Sequence, residues 1–189
     1  MRIDKHIDKD NWYEIKDILH LITEIESLDL SDMGLTEFPK MSHITINDDF
    51  VCWNNQITSF KDCPIINGSF NCSYNEITSF EECPQIKYSF NCSYNEITSF
   101  KDCPHIGGDF FCWNNPIISF KDCPQIKCNF WCDSSIFHNV HKYSKEKKIS
   151  YLEAQVELYN QKDEELLEHI DEFPDLVAYI RMKELSKLL

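Results

Sequence analysis

Phe50-Val51-Cys52-Trp53-Asn54-Asn55-Gln56-Ile57 returns as Phe70-Asn71-Cys72-Ser73-Tyr74-Asn75-Glu76-Ile77, and again from Phe90 and from Phe110. The step is 20 residues each time, marked by Cys52, Cys72, Cys92, Cys112 and Cys132. A fixed period of this length is the signature of stacked coils, each too small to bury its own apolar face. Counting each coil from Asn47, Asn67, Lys87, Gly107 and Lys127, Phe holds position four and Cys position six, with one residue between them. That alternation predicts a short strand. Asn55, Asn75, Asn95 and Asn115 hold position nine, and Ile57, Ile77, Ile97 and Ile117 hold position eleven. Phe60, Phe80, Phe100 and Phe120 follow. A Cys-Pro pair (Cys63-Pro64 and its three copies) and then Ile66, Ile86, Ile106 and Ile126 close each coil.

Each repeated residue has a mechanical reason. Inward Phe and Cys stack on their copies roughly 4.8 Å away along the solenoid. A buried Phe contributes on the order of 1.5–3 kcal/mol, which no single coil could secure alone. The side-chain amide at position nine can both donate to and accept from the backbone of a turn, so a stack of Asn predicts satisfied turn amides. Once the strand and turn are subtracted, the return path is too short for a full helix. Pro near its end favours an extended or short 3₁₀ return.

The skeleton resembles the leucine-rich repeat, L-x-x-L-x-L-x-x-N-x-L, with Phe and Cys in two strand positions usually held by Leu. The first coil keeps the ordinary spelling in Ile25, Leu28, Leu30 and Leu35, with Met33 where Asn would stand. The last coil has Ser135 and Phe137 at the Asn and Ile positions. The spelling F-x-C-S-x-N-x-I-T-S-F-x-x-C-P is similar to repeats of large phages and giant viruses. The expected fold is therefore an α/β repeat solenoid of the leucine-rich-repeat kind, with a short parallel sheet, an extended or 3₁₀ return side and α-helical caps at both ends. Residues 1–24 form the N-terminal cap, 25–137 six coils, and 138–189 a helical C-terminal cap or extension. Asp8 or Asp10 can open the first helix, and Trp12, Ile15, Ile18, Leu19 and Ile22 recur at helical spacing. Ser144 can open a later helix carrying Ile149, Leu152, Val156 and Tyr159, and Pro174 separates the last two. Two extra residues between Leu30 and Cys52 are placed on the return side, where insertions do least harm.

Ten cysteines in a small secreted chain would suggest disulfides, but nine of them occupy two repeat positions facing the predicted interior. They read as reduced core thiols in a cytosolic setting. Met1-Arg2-Ile3-Asp4-Lys5 shows no signal peptide, and no apolar run spans a bilayer. Cys128, Cys132, His138 and His141 are too tightly spaced for a zinc finger, whose pairs stand about 12 residues apart. No metal and no cofactor are predicted. The net charge of −14 has the wrong sign for direct nucleic-acid binding. No hydrolase, zincin, Walker or dinucleotide motif is present, so no enzymatic role is expected.

The strand's outward positions define the expected working face. Across the coils they carry Asp49, Val51 and Trp53; Asn71 with Tyr74 beside it; Asn91 with Tyr94; Asp109, Phe111 and Trp113; and Trp131 with Asp133. The alternation aims Trp53, Trp113, Phe111 and Trp131 away from the core, and exposed aromatics dominate binding energy at protein interfaces. These residues predict a non-enzymatic protein-binding module. The viral resemblance implies a host protein, such as a defence component, as partner. The alternatives are a structural part of a virion or other assembly and, with less behind it, an acidic mimic of nucleic acid. The C-terminal helices offer a possible homodimer surface.

Overall fold

The computed structural model describes residues 1–117, 122–124, 126, 128–132, 140, 143–144, 146–168 and 170–186. Phe120, Asp133, Ser135, Phe137, His138 and His141, singled out from the sequence, lie outside them. Strand β1 (Arg2–Ile7) is followed by helix α1 (Lys9–Ile15), which runs into a 3₁₀ stretch at Lys16–Leu21. Then come β2 (Glu24–Asp29), β3 (Thr45–Ile46), β4 (Phe50–Val51), β5 (Ile65–Ile66), β6 (Phe70–Asn71), β7 (Phe90–Asn91), β8 (Phe110–Phe111) and β9 (Phe130–Trp131). Helices α2 (Tyr151–Asn160), α3 (Glu164–Glu168) and α4 (Pro174–Leu185) close the chain.

Every strand pairing is parallel, and together the strands form a solenoid of about six turns. A phenylalanine row runs Leu28, Phe50, Phe70, Phe90, Phe110, Phe130 in register. A second, isoleucine row runs Ile25, Ile46, Ile66 and is continued by a bridge between Ile86 and Ile106. Strand β2 spans both rows, whereas later coils break the strand at a bend between them.

The register keeps the two extra residues on the return side. Leu28 to Ile46 is 18 residues, against 16 from Phe50 to Ile66. The first coil is instead one residue short within its strand segment, three from Ile25 to Leu28 against four from Ile46 to Phe50, and it lacks the bend that later coils make at Asn47 and Asp48. The N-terminal expectation is corrected. Residues 1–24 are not wholly helical, because Arg2–Ile7 is a strand paired with β2, matching Ile3 to Ile25 and Ile7 to Leu28. Asp8 then caps α1, accepting from the backbone of Asp10 and Asn11, and the Asn11 side chain accepts from the Asp8 N–H in return. This turns Trp12, Ile15, Leu19 and Ile22 into the core.

The core consists of like residues stacked on like. Phe50, Phe70, Phe90, Phe110 and Phe130 lie ring over ring with centroids 5.3–5.6 Å apart. Phe60, Phe80 and Phe100 form a parallel file at 6.2–6.4 Å and meet the first file edge to face. Such offset and T-shaped contacts add about 0.5–1.5 kcal/mol per pair beyond area burial. Cys52, Cys72, Cys92 and Cys112 are buried in the same core cluster as the rings, and Cys52, Cys63, Cys72, Cys83, Cys92, Cys103, Cys112 and Cys123 are free thiols.

A ladder of Asn fastens one turn to the next. Asn75 Nδ2 donates to the carbonyls of Cys52, one coil back, and of Cys72, while its Oδ1 accepts from Ile57 N. Asn95 repeats this with Cys72, Cys92 and Ile77, and Asn115 with Cys92, Cys112 and Ile97. Asn55 reaches back to the first coil, where its Oδ1 accepts from Met33 N and Leu35 N. The coil that lacks its own Asn is thus served by its neighbour.

At the far end, Ser150 rather than Ser144 caps α2, in a reciprocal box with Glu153. Ser144 instead donates its hydroxyl to the Ile149 carbonyl. Pro174 opens α4, at a position where a missing N–H costs no helical bond. Ala154, Leu158, Leu166, Phe173 and Leu176 are buried within the same apolar cluster as the coils. Among the described residues no helix is long and apolar enough to cross a membrane.

This packing has two measurable consequences. Asn75→Ala or Asn95→Ala removes the partner of a buried backbone N–H and of two carbonyls, and lowers stability by about 1–3 kcal/mol in urea denaturation. Burial also lifts the Cys52, Cys63, Cys72, Cys92 and Cys112 thiols well above their ordinary value of 9.0. The folded chain holds these protons where the unfolded chain releases them. Their contribution is whole below the unfolded pKa and is lost as pH rises above it toward the folded values. Under reducing conditions the urea midpoint falls steadily above about pH 9; a midpoint that stays level or rises there contradicts the buried thiol rows.

Candidate functional site

The site is built at the end of the phenylalanine row, where the chain leaves the sheet. Outward position five holds Val51, Asn71, Asn91, Phe111 and Trp131, all half-buried. Phe111 and Trp131 stack at 4.4 Å with their planes 4° apart. Between that stack and Val51 lies a shallow groove of about 150 Å³, floored by Ser69, Asn71, Ser89 and Asn91. Asp49 and Asp109 stand beside it, and each already has a structural task. Asp49 Oδ1 accepts from Ser69 N at 2.8 Å, and Asp109 Oδ1 accepts from Asn129 N at 3.0 Å. Each carboxylate ties its coil to the next with one oxygen.

Position seven does not behave alike in every coil. Trp53 and Trp113 project into solvent, with 38% and 43% of their surface exposed. Ser73 and Ser93, at the same position in the two coils between them, are buried. The reason is local: the side-chain oxygen of the nearby Asn71 or Asn91 accepts from the serine N–H and folds the chain over it. Ser73 Oγ also donates to Asn71, whereas Ser93 Oγ has no partner among the described residues.

In those two coils the aromatic moves one residue on. Tyr74 and Tyr94 occupy position eight and are 49% and 43% exposed. Their rings stack at 4.2 Å with planes 9° apart. The neighbouring Tyr94 hydroxyl, through a hydrogen bond first of all, raises the Tyr74 pKa above its ordinary value. The result is one exposed ring at position seven or eight of each of these four coils, in the order Trp53, Tyr74, Tyr94, Trp113; Tyr88, at position two, is exposed elsewhere on its coil. Across three strand spacings the row is roughly 14 Å long.

Position eight is a left-handed turn residue in each of these four coils. Asn54 and Asn114 take φ values of 55° and 49°, and Tyr74 and Tyr94 take 55° and 56°. Asn tolerates this region well, whereas a bulky side chain is an outlier there and costs roughly 1–2 kcal/mol. The chain places Tyr74 and Tyr94 there in neighbouring coils, where the exposed ring would otherwise be missing, and it places Glu82, Lys148 and Lys162 there outside the site.

Val51, Asn71, Asn91, Asp109, Phe111 and Trp131 thus line or adjoin the groove, and Trp53, Tyr74, Tyr94 and Trp113 form the ridge beside it. Asp49 belongs to the groove's rim, and Asp133 lies outside the described residues. Alternation alone aims Trp53 and Trp113 outward but does not give the exchange of Trp-Asn for Ser-Tyr its meaning. That meaning depends on the turn geometry at position eight. A second concavity, of about 320 Å³, lies among the helices and is lined by Ile149, Leu152, Glu153, Val156, Glu157 and Tyr179.

The buried thiols are poor nucleophiles at neutral pH, since burial disfavours the thiolate. Among the described residues no group of three or more His, Cys, Asp or Glu is placed to hold a metal ion. The chain matches no protein-family model, no curated protein and no solved structure.

Replacing Tyr94 by Asn relieves the left-handed strain while removing one ring from the stack, worth about 0.5–1.5 kcal/mol. The two effects nearly cancel. Tyr94→Asn therefore keeps thermal stability within about 1 kcal/mol of the parent. A loss of several kcal/mol in calorimetry would make the tyrosine a structural residue instead.

Proposed function

We propose that this chain is a non-catalytic protein-binding solenoid whose partner docks on the aromatic ridge and the adjoining groove. One observation carries the reading: Trp53, Tyr74, Tyr94 and Trp113 stand exposed at position seven or eight of four successive coils, and the core is complete without them. Tryptophan and tyrosine in such a setting supply large contact area at low entropic cost. The likeness of the coils to leucine-rich repeats supports binding through the sheet side. Their likeness to repeats of large phages and giant viruses supports a host protein as partner, for instance a defence component.

A role as a part of a larger assembly is the second reading. What favours it is the apolar concavity on the helices, where Leu152 and Tyr179 remain exposed. That surface would engage a neighbour, or a second copy of the chain, while the ridge engages another protein.

The test compares Trp53→Ala and Trp113→Ala with the parent in affinity capture and by circular dichroism. Each substitution is expected to weaken partner binding by roughly thirtyfold or more, the cost of a lost hot-spot residue, with the spectrum unchanged. Unchanged capture, or loss of the fold, contradicts the assignment.

A further inference from the structure

We infer that the ridge receives an extended, arginine-bearing segment of a basic protein; the inference rests on the protein-binding reading above and gives the partner its chemistry. The first ground is the sorting of charge. Residues 49–59, 69–79, 89–99 and 109–117, which make the strand, the ridge and the turn beyond it, contain no Lys, Arg or His. They do contain Asp49, Glu76, Glu96 and Asp109. The basic residues Lys61, Lys87, Lys101 and His105 all stand elsewhere in the repeat. A chain that wanted only solubility would have no reason to clear one face of positive charge.

The second ground is that these carboxylates have capacity left. Glu76 and Glu96 are exposed, two residues beyond Tyr74 and Tyr94, and their carboxylates make no hydrogen bond or ion pair among the described residues. Asp49 and Asp109 commit Oδ1 to the backbone of the next coil. Oδ2 of each carries no bond among the described residues.

The third ground is the chemistry of the rings. A guanidinium is flat, weakly hydrated and able to stack on an aromatic face while its N–H groups reach a carboxylate at the ring's edge. Tyr74 and Tyr94 cover each other's inner faces, which leaves the outer face of each and the rings of Trp53 and Trp113 for such stacking, with Glu76 and Glu96 two residues beyond the tyrosines. Lysine would meet the carboxylates but lose the stacking. Donors for a peptide backbone are present too. Asn71 Nδ2 and Asn91 Nδ2 donate to nothing among the described residues and line the groove beside the ridge. They are placed to bond the carbonyls of an extended segment. Nucleic acid is disfavoured by the same carboxylates, which repel phosphate.

The test uses the full chain and a fluorescein-labelled peptide of about ten residues alternating arginine and glycine, read by anisotropy. Lysine–glycine and glutamate–glycine peptides and a neutral hexasaccharide serve as comparisons. The arginine peptide is expected to bind most tightly, with affinity falling as salt rises. Trp53→Ala with Trp113→Ala weakens it by roughly three- to thirtyfold. Glu76→Gln with Glu96→Gln, which leaves the rings and core alone, weakens it several-fold, while Glu37→Gln with Glu81→Gln removes equal charge elsewhere and changes nothing. Binding that ignores the tryptophan pair, or falls equally with Glu37 and Glu81, is adsorption to net charge and overturns the inference. So does salt-independent binding of the saccharide on the same ridge. If the arginine peptide fails while Trp53→Ala still releases a partner captured by the parent, the cationic assignment falls and the protein-binding reading stands. If capture also ignores Trp53, both fall.

Discussion

In a parallel stack every side chain lies over its own copy one coil away, so a residue is tolerated only if it packs well against itself. That constraint selects nearly everything in this chain. Flat rings satisfy it by stacking, which is why Phe50 and its successors form an unbroken file. Thiols satisfy it by being small and uncharged. Asn satisfies it because one amide both donates and accepts, so Asn75 can bond the coil behind it while serving its own turn. A carboxylate at such a buried position would have faced its own charge a few ångströms away in both directions.

The same constraint explains why the outer face is informative. Outside the core, stacking on self is not needed for burial, and the coils are free to differ. They do differ: of the four coils that begin at Asn47, Asn67, Lys87 and Gly107, the two with Trp at position seven have Asn at eight, and the two with Ser at seven have Tyr at eight. The two spellings reach one result, an exposed ring at the start of the turn, on the same left-handed backbone. The tyrosine spelling costs left-handed strain at Tyr74 and Tyr94 that Asn54 and Asn114 largely avoid. The arrangement links sequence to function through packing, since a rigid stack fixes the spacing of the rings without spending entropy on binding.

Most of the coil is legible in the sequence because the period is exact over four copies and because Phe, Cys and Asn each have one sensible environment. The parallel register follows from Phe50, Phe70, Phe90 and Phe110 alone. Strand β1 is not legible. Arg2, Asp4 and Lys5 give it a charged spelling, and its two apolar residues, Ile3 and Ile7, match the spacing of Ile46 and Phe50 without any of the repeat's other marks. The bend at Asn47 and Asp48 is hidden for a similar reason, since a one-residue difference between Ile25–Leu28 and Ile46–Phe50 is visible only once the pairing is known. At the site, the outward aim of Trp53 and Trp113 can be read from alternation. The burial of Ser73 and Ser93 cannot, because it depends on Asn71 and Asn91 folding the chain back. The helices after Val140 lack a repeat to average over, and the choice of Ser150 over Ser144 as cap turns on the reciprocal bond from Glu153.

Fold and recognition alike depend on which rows are inside. Hydroxyl-radical footprinting of the native chain, read residue by residue by mass spectrometry, measures this directly. Trp53, Tyr74, Tyr94 and Trp113 should oxidise at rates near those of the unfolded chain, with Phe50, Phe70, Phe90, Phe110 and the thiols of Cys52, Cys72, Cys92 and Cys112 strongly protected. Protected indoles beside reactive phenylalanines and thiols would mean that the coil is turned inside out, with no stacked core to hold it and no ring left free to meet a partner.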